Sequence, residues 1–77
     1  MDENTRVVSD LALAAFLAAA GHRLLGIRRT NNRGAFMFED NPRLGEDILR
    51  YYNRKASVDP LTFAETLRSL KAAAQAV

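Results

Sequence analysis

The chain contains no cysteine. That excludes a disulfide framework, a Cys-based zinc site and a thiol nucleophile, and it fits a reducing, cytoplasmic setting. Histidine occurs once, at His22, so no second imidazole can join it in a metal site. Because it follows a helix-ending glycine, a surface histidine or one interacting with the dipole at a helix C-terminus is expected. Glycine is sparse, and Gly21, Gly26, Gly34 and Gly45 are scattered, so no phosphate-cradling loop is formed. The apolar run over residues 11–20 falls far short of the roughly 20 residues that span a bilayer. It resembles the core of a secretion signal. However, the segment around its start carries Asp2, Glu3 and Asp10 against Arg6, the wrong balance of charge for one. A buried helix is expected there, and no membrane partner. Ser9, Ser57 and Ser69 have no partner base. Asp10, Asp40 and Asp59 precede or open helices, where capping explains them, and Asp47 has no evident catalytic mate. No catalytic residue, metal, cofactor or small-molecule substrate is therefore expected, and the chain reads as a non-enzyme.

What is present is enough for a fold. Seventy-seven residues, 48% hydrophobic and 26% charged, make one small globular domain. Its core is small, so association with a second copy would help it. Two short β runs, 24–30 and 35–39, flank the turn formers Asn31, Asn32 and Gly34. Pairing Thr30 with Ala35 puts Leu25, Ile27, Phe36 and Phe38 on one face. Leu24, Arg28, Met37 and Glu39 take the other, mixed face. A lone hairpin is marginal in water, so helices must cover it. The first helix is expected over 10–20, capped by Ser9 or Asp10 and stopped by Gly21. Its stripe is Leu13, Phe16, Leu17 and Ala20. The smooth opposite face of Ala12, Ala15 and Ala19 would admit another helix or a second copy. Asp40-Asn41-Pro42 opens a helix over 42–54, with Leu44, Ile48 and Tyr51 inward and Arg43, Asp47, Arg50 and Arg54 outward. Asp59-Pro60 opens a third over 60–74, with Phe63, Leu67, Leu70 and Ala74 as its stripe. Ala56-Ser57-Val58 is a link or a third edge strand. The expected fold is thus α+β: helix, hairpin, helix, optional short strand, helix, with an antiparallel two- or three-stranded sheet packed on helices. Residues 1–8 show no periodicity and are expected to be a flexible N-terminus, with the domain over 9–75.

The charge pattern bears on partners. The formal net charge is only +2. Yet residues 22–55 hold eight Lys or Arg against four acids. Arg28, Arg29 and Arg33 surround the hairpin turn, and Arg43, Arg50 and Arg54 line the second helix. A basic ribbon beside a basic helix can contact phosphates, and Tyr52-Asn53 next to Arg54 would suit base stacking. The ordinary alternative is a solvated charged surface, with Tyr52 on the rim of the core and pairs such as Glu46 with Arg50.

Several short patterns taken together resemble a known family. They are Asp10, Leu11, Ala14, Leu17 and Gly21, then Leu24, Leu25 and Phe36, Phe38, Glu39, Asp40. Tyr52-Asn53, Val58-Asp59-Pro60, Phe63 and Leu70-Lys71 complete the set. The chain is similar to a family of small, uncharacterised bacterial domains, also seen in phages and mobile elements and known as a domain of unknown function. The resemblance implies a fold and a phage, plasmid or genomic-island context, and supplies no activity. The leading expectation is a non-enzymatic accessory module that binds nucleic acid through Arg28, Arg29, Arg33, Arg43, Arg50 and Arg54. The rival is a protein–protein adaptor or self-assembling protein using the first helix and the outer hairpin face.

Overall fold

A computed structural model describes residues 4–30 and 33–77. The chain runs β1 (Thr5–Val8), α1 (Leu11–Ala19), β2 (Leu24–Thr30), β3 (Arg33–Glu39), α2 (Pro42–Tyr52) and α3 (Pro60–Ala76). It forms an α+β domain: an antiparallel sheet of order β1-β3-β2 with one face covered by helices. Strands β1 and β2 are joined through α1, and β3 inserts between them.

The third strand is β1, not Ala56-Ser57-Val58, which is irregular chain between α2 and α3. Four residues of the N-terminus expected to be flexible therefore belong to the sheet. Thr5, Val7 and Val8 are β-branched and suit a pleated surface, and Val8 is buried opposite Phe36. Arg6 adds an ion pair to Asp40, at 3.8 Å, and the Asp40 N–H donates to the Asn4 carbonyl at 2.5 Å.

The hairpin has the expected buried aromatics, Phe36 and Phe38, in a different register. Thr30 pairs with Arg33 rather than Ala35, and Ile27 lies opposite Phe36. A shift of two residues keeps each side chain on its face. The exception is a bulge between Leu24 and Gly26, where Leu24 becomes the partner of Phe38. The extra residue inverts the alternation, so Leu24 packs against the core and Leu25 is exposed, the reverse of expectation. Gly34 is a strand residue paired with Arg29, not a turn former. A Cβ on it would lie 3.5 Å from Ala74 of α3. Asn31 and Asn32 lie outside the described residues.

Helix α1 is the centre of the molecule. It is apolar all round, as a fully buried helix must be. Leu13, Ala14, Ala15, Phe16 and Leu17 are all buried, with α2 and α3 packed on it. The alanine face, expected to admit another helix or a second copy, is used internally at Ala15, which is fully buried, while Ala12 and Ala19 are half-buried. Caps fix where each helix begins. Asp10 accepts from the N–H groups of Ala12 and Leu13, Asn41 from Leu44, and Asp59 from Thr62. Pro42 and Pro60 follow the last two caps.

Candidate functional site

The end of α1 builds the first part of the site. Gly21 takes a left-handed φ of 100°. Its N–H donates to Ala18 O at 3.1 Å, and that of His22 to Leu17 O at 3.0 Å. These are the two bonds of a Schellman closure, in which glycine avoids the Cβ penalty. The closure turns His22 inward. Its Nε2 lies 2.6 Å from Asp47 Oδ2 on α2, and the two side chains are only 5% and 8% exposed. Asp47 Oδ1 accepts from Arg50 Nη1 at 2.5 Å. Neither the surface position expected for His22 nor the outer position expected for Asp47 holds. Arg50 pairs with Asp47 across three residues, not with Glu46 across four as expected. The sequence did carry a signal: Leu44, Asp47, Ile48 and Tyr51 follow the i, i+3, i+4, i+7 spacing of one helix face. Asp47 sits within the apolar stripe.

The hydrogen bond from His22 holds the Asp47 carboxyl below its ordinary value of 3.8, assisted by the charges of His22, Arg50 and Arg43 and opposed by burial. Asp47 is therefore an ionised carboxylate, which can only accept, and the proton on the shared bond belongs to Nε2.

Beside this pair opens a cleft in two adjoining halves. One, of about 520 Å³, is lined by Arg43, Asp47, Arg50 and Lys55 with the end of α1. The other, of about 540 Å³, is lined by Tyr51, Arg54 and Phe63. Phe16, Ala56, Ser57 and Val58 border both halves. The Phe16 and Tyr51 rings lie 5.7 Å apart, tilted by 30°. Burial pushes the Tyr51 phenol above its ordinary 10.0, with Asp10 adding to it, so the ring stays neutral at physiological pH.

Helix α2 also ends in a Schellman closure. Arg54 donates its N–H to Tyr51 O at 3.1 Å, and Lys55 donates to Arg50 O at 2.9 Å. Here the left-handed residue is Arg54, φ 60°, where glycine is usual. The turn carries Arg54 and Lys55 onto the rim of the cleft.

The six arginines singled out in the sequence do not share one surface. Arg43, Arg50 and Arg54 meet at the cleft, joined by Lys55. Arg29 lies on the helix-covered side of the sheet and donates to Gln75 O at the end of α3, at 3.3 Å. Arg28 lies on the opposite face, beside Thr5, Val7, Leu25 and Met37. Arg33 falls on that same outer face by strand alternation. Tyr52 is exposed away from the cleft, near Val8 and Leu13. Among the described residues no group of three or more His, Cys, Asp or Glu is placed to hold a metal ion. None of their helices is long and apolar enough to cross a membrane.

Comparison with known proteins yields a match to a family model. A family model described as a domain of unknown function, DUF5659, covers residues 3–76. No curated protein and no solved structure matches the chain.

Proposed function

We propose that this chain, which belongs to the DUF5659 family, is a small non-enzymatic module that binds nucleic acid through α2 and the turn that follows it. One observation carries the reading: Arg43, Arg50 and Lys55 line one half of the cleft and Arg54 the adjoining half, whose floor is aromatic and apolar. Arginine and lysine supply phosphate contacts that position a nucleic acid without reading its sequence. Asp47 holds Arg50 in an ion pair, so Arg43, Arg54 and Lys55 carry the charge of the rim. An accessory role in a mobile element and a cytoplasmic setting accompany this reading, on the strength of the family resemblance and the lack of cysteine.

The test is fluorescence anisotropy of labelled DNA and RNA across a salt series. Binding should weaken linearly in log salt. Arg43→Glu with Lys55→Glu should abolish it while the domain stays folded. Unchanged binding by the folded double variant sinks the cleft. Arg28→Glu reports on the opposite face: loss of binding there instead would move the site to the sheet.

A second reading, a protein adaptor, has its own observation. Val7 and Leu25 are 56% and 45% exposed around Met37 on the uncovered face of the sheet. A pull-down that depends on Val7 and Leu25 but not on Arg43 and Lys55 would favour it.

A further inference from the structure

Resting on the phosphate-contact reading above, we propose that the cleft accepts one unpaired base of a single strand, with Arg54 meeting the phosphate beside it. Two independent observations carry this. The first is the shape and chemistry of the recess. Its volume of about 540 Å³ falls within the roughly 300–1,000 Å³ of small-molecule pockets. Tyr51, Val58 and Phe63 over the buried Phe16 make it mainly apolar, and among the described residues its one cation is Arg54. Arg43, Arg50 and Lys55 stand in the adjoining half. A flat basic patch would serve duplex and single strand alike. An apolar, aromatic recess set between cations suits an object with a flat π-face and a charged backbone, and every unpaired base offers both. A base inside a duplex is already stacked and must be extruded before it can enter such a recess.

The second observation is the backbone of Arg54. Its φ of 60° lies where L side chains are rarely found. Glycine would close α2 with the same two hydrogen bonds and no Cβ conflict, so the closure does not call for arginine. Strain held beside a recess points to use of the side chain there. An acidic peptide would also be drawn to the rim, but it lacks a base to occupy the aromatic floor.

The experiment compares a labelled single strand with a duplex of equal length by anisotropy at one ionic strength, using the full chain. Polyglutamate serves as competitor. The single strand should bind at least about tenfold tighter, the order that stacking one base supplies. Arg54→Gly should weaken single-strand binding severalfold while its thermal midpoint is unchanged or raised. Ser57→Trp, at an exposed position bordering both halves, should fill the recess and do the same. Equal affinity for duplex and single strand, with both variants binding as the parent does, overturns this inference and leaves phosphate contact standing. No binding of either nucleic acid overturns both readings. Polyglutamate that binds where nucleic acid does not assigns the cleft to an acidic protein.

Discussion

Arg54 and Asp47 each occupy a place that ordinary patterning assigns to another residue type, glycine in one case and an apolar residue in the other. For Arg54 the consequence is strain. Arg54→Gly relieves a Cβ conflict but gives the unfolded chain more freedom. The expected net is a gain of up to about 1 kcal/mol, read from urea midpoints; a clear loss would show that the arginine side chain itself holds the turn. For Asp47 the consequence is pH dependence. Its folded pKa lies below the 3.8 it has unfolded. The unfolded chain therefore binds more protons in that window, and stability rises with pH. The contribution is complete above pH 3.8 and is lost as pH falls through the folded value. Asp47→Asn should flatten this part of the stability profile relative to the parent chain, measured by denaturant midpoints from neutral pH downward. A profile as steep as the parent's would show that other carboxylates carry the acid transition. Removing His22 tests the same pair from the other side. His22→Ala should cost about 1.5–3 kcal/mol, typical of a hydrogen bond to a charged group.

At the scale of elements, caps and closures were the most legible features. Asp10, Pro42, Pro60 and Gly21 each mark a helix end within a residue or two, because a cap is a local interaction that local sequence can declare. The two buried phenylalanines were legible for the same reason: alternation of period two is a local pattern. Strand β1 was not legible. Four residues are too few to show a period, and their pairing with β3 depends on a partner some thirty positions away. The bulge at Leu25 had one signal, Gly26 inside the strand run, since an isolated glycine in a strand often marks a bulge or a close approach, but that signal does not say which residue is inserted. The His22–Asp47 pair was only partly legible: Asp47 is expected outward, although its spacing from Leu44, Ile48 and Tyr51 is that of the inner stripe, and only the fold supplies the histidine that makes an inward carboxylate tolerable. Phe38 checks the architecture. It is fully buried between α1 and the sheet, and Phe38→Ala should destabilise by about 3–5 kcal/mol. Val8→Asp should be comparably damaging, because a charge at a buried strand position has no partner. A Val8→Asp variant as stable as the parent would mean β1 contributes little to the fold.

For the whole molecule, arrangement of charge decides more than its total. A net charge of +2 gives only weak long-range attraction to a polyanion. The hairpin arginines dilute it further: Arg28 and Arg33 face away from the cleft, and Arg29 is engaged by the end of α3. What remains is Arg43, Arg54 and Lys55, Arg50 being paired with Asp47, and that count of three makes a quantitative prediction. Each neutralised phosphate on a single strand contributes about −0.7 to the slope of log affinity against log salt. Three contacts give a slope of about −2, and Lys55→Ala should reduce its magnitude by about 0.7. Arg28→Ala, on the other face of the sheet, should leave the slope unchanged. A parent slope of about −3.5 that both substitutions reduce equally would mean the strand wraps both faces. A slope near zero would mean the rim does not contact phosphate. The fold favours the first outcome. Arg28 lies on the uncovered face of the sheet and the cleft on its helix-covered side, so a domain only 18 Å across its shortest dimension can present the cleft on one side while leaving the exposed Val7 and Leu25 free on the other.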